Sequence, residues 1–213
     1  INEADIEDLI FQVKKENISG INVTVPFKKK AISFVDELTS EANESQSINT
    51  IYKENDKIIG HNTDMAGFEL GLRHVNYNVK DKKIFILGAG GVVPSIILTL
   101  KKMGASKIIL SNRTKKKAED LKNFFSYLEI IDWGETPEFH MIINATSLGL
   151  NKEDPLPFNP TETGENCLIA EINVVPETTF LLEMALSLGR RVHYGAPMVE
   201  YQIPMHSEFL KMW

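Results

Sequence analysis

The stretch Ile84-Phe85-Ile86-Leu87-Gly88-Ala89-Gly90-Gly91-Val92-Val93 decides the fold. Lys83 to Leu87 ends in a continuous apolar run, the pattern of a strand buried on both faces. The run breaks on a glycine-rich turn and resumes as a helical stretch through Ile96, Ile97 and Leu100 to Met103, stopped by Gly104. Strand, tight turn and helix in that order are the context in which such a turn binds a dinucleotide. Gly88 permits the turn. Gly90 lets the backbone approach a pyrophosphate seated on the helix N-terminus, where free N–H groups favour anions. Val93 stands where a third glycine is usual, and Pro94 after it is tolerated in a first helical turn.

Toward the C-terminus the alternation continues. Lys107 to Leu110 reads as a strand and Lys116 to Phe125 as a helix. His140 to Asn144 and Cys167 to Ala170 read as strands separated by a polar, proline-bearing loop at 151–166. Thr179 to Leu188 is a helix ended by Gly189, and Arg191 to His193 a short edge strand. Strands alternating with helices imply a doubly wound parallel sheet with helices on both faces.

Toward the N-terminus, residues 1–17 read as a helix from Ile6, Leu9, Ile10 and Val13. Residues 20–26 are a β-branched strand closed by Pro26. Lys28 to Leu38 looks helical, with Ala31, Ile32, Val35 and Leu38 on one face. Ile48 to Tyr52 and Lys57 to Gly60 are strands around a polar turn, and Met65 to Val75 is a helix. Pro197 to Trp213 reads as one last amphipathic helix. The expected fold class is α/β with two domains. Residues 77–195 form a Rossmann-type dinucleotide-binding domain, and 1–76 with 196–213 a discontinuous substrate domain.

Composition narrows the function. The 213 residues carry 23 Lys+Arg against 29 Asp+Glu, a net charge of −6. That balance disfavours nucleic acid or an anionic membrane as partner. One cysteine, Cys167, rules out an intrachain disulfide and a cysteine-rich zinc site. The five histidines show no metal-binding spacing, so no metal is expected. No apolar run approaches the ~18 residues that span a bilayer. The expectation is a cytoplasmic protein, monomer or homodimer, acting on a small molecule.

The strand after the glycine turn selects the cofactor. An NAD site usually carries an acid about 20 residues on, holding the ribose hydroxyls. Here that strand ends Leu110-Ser111-Asn112-Arg113-Thr114, without a carboxylate. Arg113 instead offers a planar cationic fork suited to a 2′-phosphate, with Lys115, Lys116 and Lys117 beside it. NADP(H) is therefore the expected cofactor.

Catalytic candidates lie in the first unit. Lys28 follows Asn22-Val23-Thr24-Val25-Pro26-Phe27 and would start a helix, where a cation is unfavourable to the dipole. Function explains it better than structure does. Asp64 closes Gly60-His61-Asn62-Thr63-Asp64; read alone it is equally an N-cap, but facing Lys28 it would complete an ammonium–carboxylate pair. The histidines, including His206, look bland beside this pair, and Trp133, near a turn, reads as packing.

These residues occur in blocks that resemble the shikimate dehydrogenase family over nearly the whole chain. The blocks are NVTVPFK at 22–28, SINT at 47–50, GHNTD at 60–64, GAGG with the later SNRT, INATSLGL at 143–150, and the segment from Gly195 to Gln202. The resemblance implies Lys28 and Asp64 as the catalytic pair, and Thr24, Asn49, Asp64 and Gln202 as substrate-binding residues. It implies cofactor contacts from Gly88, Ala89, Gly90, Gly91 and Val92, from Asn112, Arg113, Thr114 and Lys117, and from Asn144, Thr146, Gly195 and Met198. The implied reaction is reduction of 3-dehydroshikimate to shikimate with NADPH, in the route to aromatic amino acids. Lys28 would stabilise charge on the carbonyl oxygen and act as general acid, with Asp64 orienting it.

The chain departs from the family pattern. It begins one βα unit late, without the family's N-terminal strand and its serine pair, so the substrate domain is expected to be N-terminally incomplete. Val174 stands where the family carries a tyrosine. Val92-Val93-Pro94-Ser95 replaces the usual helix start. These departures keep two alternatives open: a quinate or other polyol-acid dehydrogenase, and an NADP-binding fragment or module impaired in catalysis.

Overall fold

The computed structural model describes residues 3–211. Residues 1, 2, 212 and 213, at the outer ends of the expected first and last helices, lie outside the described residues. The first unit runs α1 (Glu3–Lys14), β1 (Gly20–Asn22), β2 (Glu37–Leu38), α2 (Ser40–Ser45), β3 (Thr50–Glu54), β4 (Lys57–His61) and α3 (Asp64–His74). Its sheet has the order β1-β3-β4-β2, antiparallel except where β2 joins β4 in parallel. Ile6, Ile10 and Val13 of α1 pack with Ile51 and Ile58 of this sheet and with Ile48 just before β3, the stripe that their helical spacing announces.

The second unit runs β5 (Lys83–Leu87), α4 (Val93–Lys102), β6 (Lys107–Ser111), α5 (Lys115–Phe124), β7 (Glu129–Ile130), β8 (Met141–Asn144), β9 (Leu168–Glu171), α6 (Phe180–Ser187) and β10 (Arg191–His193). Its six strands are all parallel, in the order β10-β9-β8-β5-β6-β7. Two cores cover the faces of this sheet. Ile84 and Ile86 of β5 point into one and Phe85 and Leu87 into the other, which is why β5 is apolar at successive positions. The strand order reverses beside β5: the chain winds to β6 and β7 on one side, then to β8, β9 and β10 on the other. In such sheets ligands bind outside the carboxyl ends at the switch point, here between Leu87–Gly88 and Asn144–Ala145.

Three sequence expectations need correction. Lys28 to Leu38 is not one helix. A 3₁₀ turn covers Lys30–Phe34, and Glu37–Leu38 then pairs with β4. The helical spacing of Ala31, Ile32, Val35 and Leu38 loses to long-range pairing: Asp36 N–H donates to the Ile58 carbonyl, and the Asp36 carboxylate accepts from Ile58 N–H. The strand at 20–26 is paired only over Gly20–Asn22, although Val23 N–H still donates to the Asn49 carbonyl at 2.7 Å. The C-terminal segment is two helices, α7 (Ala196–Glu200) and α8 (Gln202–Phe209), meeting at Tyr201. Pro204 lacks the N–H that a continuous helix needs there, and it is tolerated because α8 starts afresh just before it. The short elements α2 and β7 were not expected from the sequence.

His193 ends β10 inside the core, 1% exposed and edge-on to Phe68. Among the described residues, neither of its ring nitrogens has a hydrogen-bond partner. Burial therefore holds its pKa below the ordinary 6.5. A lowered histidine pKa means that the unfolded chain takes up the proton first. Stability is thus unaffected above about pH 6.5 and falls as the pH drops below it. Urea unfolding between pH 8 and pH 5 should show the midpoint of His193→Leu gaining on the parent protein below that point. A constant difference across the range would contradict this account of His193.

Candidate active site

Lys28 and Asp64 meet. Lys28 Nζ donates to Asp64 Oδ2 at 2.6 Å, with side chains 13% and 4% exposed. Thr63 holds the N-cap position of α3, and Asp64 is the first helical residue. The Asp64 carboxylate accepts from Lys28 and, at 3.1 Å, from Asn49 Nδ2. Its backbone N–H is held by Asn62 Oδ1 at 2.9 Å. The capping explanation of Asp64 therefore gives way to the ion pair, while the helix end still favours a negative charge there.

Asn49 and Gln202 join the same buried network. Asn49 Nδ2 lies 2.8 Å from Thr63 Oγ1 and 2.9 Å from Gln202 Oε1, and Asn49 Oδ1 accepts from Thr63 N–H at 3.0 Å. Gln202 Oε1 accepts from the Thr63 hydroxyl at 2.8 Å, and Gln202 Nε2 donates to the Met198 carbonyl at 3.0 Å. Thr24 is not among them. It is exposed beside Val23 and Val25 at an apolar concavity of about 270 Å³, and its carbonyl accepts from Phe27 N–H.

A second cleft, of about 220 Å³, opens at the switch point. Gly88, Ala89 and Gly90 form one wall, Asn112, Arg113 and Lys117 another, and Ala145 and Thr146 the third. Gly88 has φ +107°, and a Cβ there would sit 2.5 Å from the Ala145 carbonyl oxygen, so both conformation and packing require glycine. Around Gly90 the space is open: a Cβ would meet nothing within 4 Å. Lys115 is taken up by Asp132 at 2.5 Å and Lys116 by Asp120 at 2.8 Å. Among the described residues, Arg113 and Lys117 on the cleft wall have no ion-pair partner. An open backbone cradle flanked by two cations fits a phosphate-bearing dinucleotide.

The remaining expected cofactor residues stand behind this cleft. Val92 caps α4, and Gly91 lies against Val25 of the first unit. The Thr114 carbonyl accepts from Asn112 Nδ2 at 2.8 Å. Asn144 is fully buried; its Oδ1 accepts from the Thr146 N–H and hydroxyl at 3.1 and 2.7 Å, which shapes the loop after β8. Gly195 packs so close to Asn173 that a Cβ would lie 2.2 Å from its carbonyl oxygen. Met198 is buried in the core rather than exposed in the cleft.

Four participants were missed from the sequence. Trp133, Ser147 and Leu148 line the switch-point cleft, and no spacing signalled them. Glu171 is completely buried at the end of β9. Its carboxylate accepts from Asn144 Nδ2 at 2.9 Å, from Asn173 Nδ2 at 2.7 Å, from the N–H groups of Ile172 and Asn173, and from Thr179 Oγ1 at 3.4 Å. Burial pushes its pKa up while these donors pull the other way. The two units are also riveted together. Asn62 Nδ2 lies within 3.1 Å of Ser45 Oγ, the Ser47 carbonyl and Ser95 Oγ of α4, so one amide ties the Asp64 turn to the helix that follows the glycine turn.

A switch-point cleft with two cations and a half-buried lysine paired to a buried aspartate on the adjoining unit define a two-domain, NADP-dependent oxidoreductase. Residues 1–51 match the family model of the shikimate dehydrogenase substrate binding domain, and residues 69–148 that of shikimate / quinate 5-dehydrogenase. The chain belongs to the shikimate dehydrogenase family. It is 51% identical over 202 residues to the shikimate dehydrogenase (NADP(+)) of Pelagibacter ubique, covering 95% of this chain and 76% of that one. It superposes on the shikimate dehydrogenase of Aquifex aeolicus with a TM-score of 0.86 at 37% identity, over 100% of this chain and 78% of that one. The Thermus thermophilus enzyme, solved with NADP(H) and shikimate, gives 0.85 at 26% identity, over 100% and 79%.

Proposed function

We propose that Lys28 and Asp64 carry the reversible, NADP(H)-linked interconversion of 3-dehydroshikimate and shikimate in this chain. The observation that carries the reading is their 2.6 Å contact at the carboxyl-end side of the glycine turn's unit, bridged to it by Asn62 and Ser95. The Gly88–Gly91 turn, Arg113, Lys117 and the loop at Thr146 hold the dinucleotide, which when bound supplies the hydride. Lys28 stabilises the charge that gathers on the carbonyl oxygen and delivers a proton from Nζ. Asp64 fixes the ammonium and accepts from a substrate hydroxyl. Asn49 and Gln202 hold Asp64 and Thr63 in place from beneath, and Thr24 offers its free hydroxyl from the side. Residues 1–76 with 196–213 form the substrate domain in this reading and 77–195 the cofactor domain, in keeping with the two separate sheets. The reading further takes the protein as a cytoplasmic monomer or homodimer.

Quinate is the second reading. Val174, half-buried next to the 82%-exposed Val175, has no hydroxyl to offer a substrate. Steady-state rates with NADP⁺ should favour shikimate over quinate. Arg113→Ala should raise the KM for NADP⁺ about 10–100-fold, the worth of one charge-assisted hydrogen bond, and leave that for NAD⁺ unchanged. Faster turnover of quinate would reverse the substrate assignment. NADP⁺ binding with no turnover of either acid would leave a binding module.

A further inference from the structure

α8 brings one more group to the Asp64 network, and it is the imidazole of His206. Its Nε2 lies 2.8 Å from Thr63 Oγ1, and its Nδ1 lies 2.9 Å from Asn22 Nδ2. An amide nitrogen only donates, so Nδ1 is the acceptor there and the ring's one hydrogen sits on Nε2. That hydrogen goes to Thr63. The threonine's own hydrogen goes to Gln202 Oε1 at 2.8 Å.

The consequence falls on Asn49. Its Nδ2 has three acceptors within reach, Thr63 Oγ1, Gln202 Oε1 and Asp64 Oδ1, at 2.8, 2.9 and 3.1 Å. It has two hydrogens to give. A donor from His206 satisfies Thr63 and frees both Asn49 hydrogens for Gln202 and Asp64. Without it, the longest of the three contacts, the one to Asp64, competes with Thr63.

We propose that His206 is a positioning residue for the Lys28–Asp64 pair: its neutral, Nε2-protonated ring supplies the hydrogen that lets Asn49 hold Asp64. The inference rests on reading that pair as catalytic. A second proton on the ring sets Nδ1–H against the Asn22 amide donor, and the contact breaks or the amide turns. The titratable groups facing the ring are Asp64 on α3, which favours that proton, and Lys28 before the 3₁₀ turn, which opposes it. His61 on β4 is coupled to it electrostatically. Burial also opposes the proton and holds the His206 pKa below its ordinary value. The active form therefore prevails at neutral and higher pH and is lost on acidification.

The test uses the full chain with shikimate and NADP⁺ across pH 5.5–9. His206→Leu should lower kcat on the order of 10²-fold, the cost of a misplaced catalytic group, with NADP⁺ affinity unchanged. His206→Gln, whose Nε2 can still donate to Thr63, should recover most of that loss and remove the acid inflection that the imidazole contributes. Long-range ¹H–¹⁵N NMR at pH 8 should show the Nε2–H tautomer. Wild-type kcat and pH profile in His206→Leu would overturn the proposal, as would an Nδ1–H tautomer. If His206→Leu does not fold, His206→Gln and the tautomer decide. Full activity in Lys28→Met would instead remove the catalytic reading, an outcome distinct from the tautomer result.

Discussion

Lys28→Met lowers kcat for shikimate oxidation by about 10²–10⁴-fold, the range for a lost general acid and charge stabiliser, and leaves NADP⁺ affinity unchanged. The separation of effects follows from geometry. Lys28 Nζ is bound to Asp64 Oδ2, whereas the cofactor cleft is walled by Gly88–Gly90, Arg113 and Lys117. Stability must be separated from chemistry, because methionine leaves the buried Asp64 carboxylate without its counter-charge. Breaking a buried pair in this way costs about 3–5 kcal/mol, or roughly 2–4 °C in Tm for each of them. The double variant Lys28→Met with Asp64→Asn removes both charges and should regain most of the lost Tm while remaining inactive. Recovery of turnover together with Tm would show that the pair is structural. Turnover retained in the single variant would end its assignment as catalytic.

Glu171→Leu should fail to yield a cooperatively folding protein. Each buried donor left without an acceptor costs about 1–3 kcal/mol. Glu171 serves donors on Asn144, Asn173, Ile172 and Thr179. Their summed loss is comparable with the whole stability of a domain. Glu171→Gln is the informative variant. It keeps one oxygen but turns an amide NH2 donor toward the donor of either Asn144 or Asn173. Thermal melting should show a loss of about 1–3 kcal/mol. NADP⁺ binding should weaken with it, because Asn144 in turn holds the Thr146 loop on the cleft wall. A Gln variant with unaltered Tm and NADP⁺ affinity would show that the carboxylate organises nothing.

Both variants probe contacts whose legibility in the sequence differs. Lys28 and Asp64 were readable because each breaks a local rule or sits in a motif: a cation at a presumed helix start, and an acid closing a strand. Glu171 carries no such signal. Its partners come from β8, from the loop after β9 and from the start of α6, and no local rule joins them. His206 looks bland and Trp133 reads as packing for the same reason. An imidazole on an amphipathic helix carries no sign of a threonine on α3's cap, far away in the chain, that it will meet at 2.8 Å.

Errors in secondary structure have the same origin. The helical spacing at 28–38 was real, but β4 offered an edge, and backbone hydrogen bonds from Asp36 and pairing at Glu37 and Leu38 took the segment. The break before α8 was within reach of the sequence, since Pro204 forbids a helix interior. By itself the sequence determined β5, the glycine turn, α4 and the basic residues that follow β6. Those depend on burial pattern, turn conformation and nearby residues, all local along the chain. The tertiary structure alone decided which of the basic residues after β6 are paired, with Asp132 and Asp120 claiming Lys115 and Lys116. It alone assembled the Asn49–Thr63–Gln202–His206 network beneath Asp64. Hydrogen-bond partners of buried polar groups are set by which segments meet in space, and that meeting is driven by burial of apolar surface, which does not specify them.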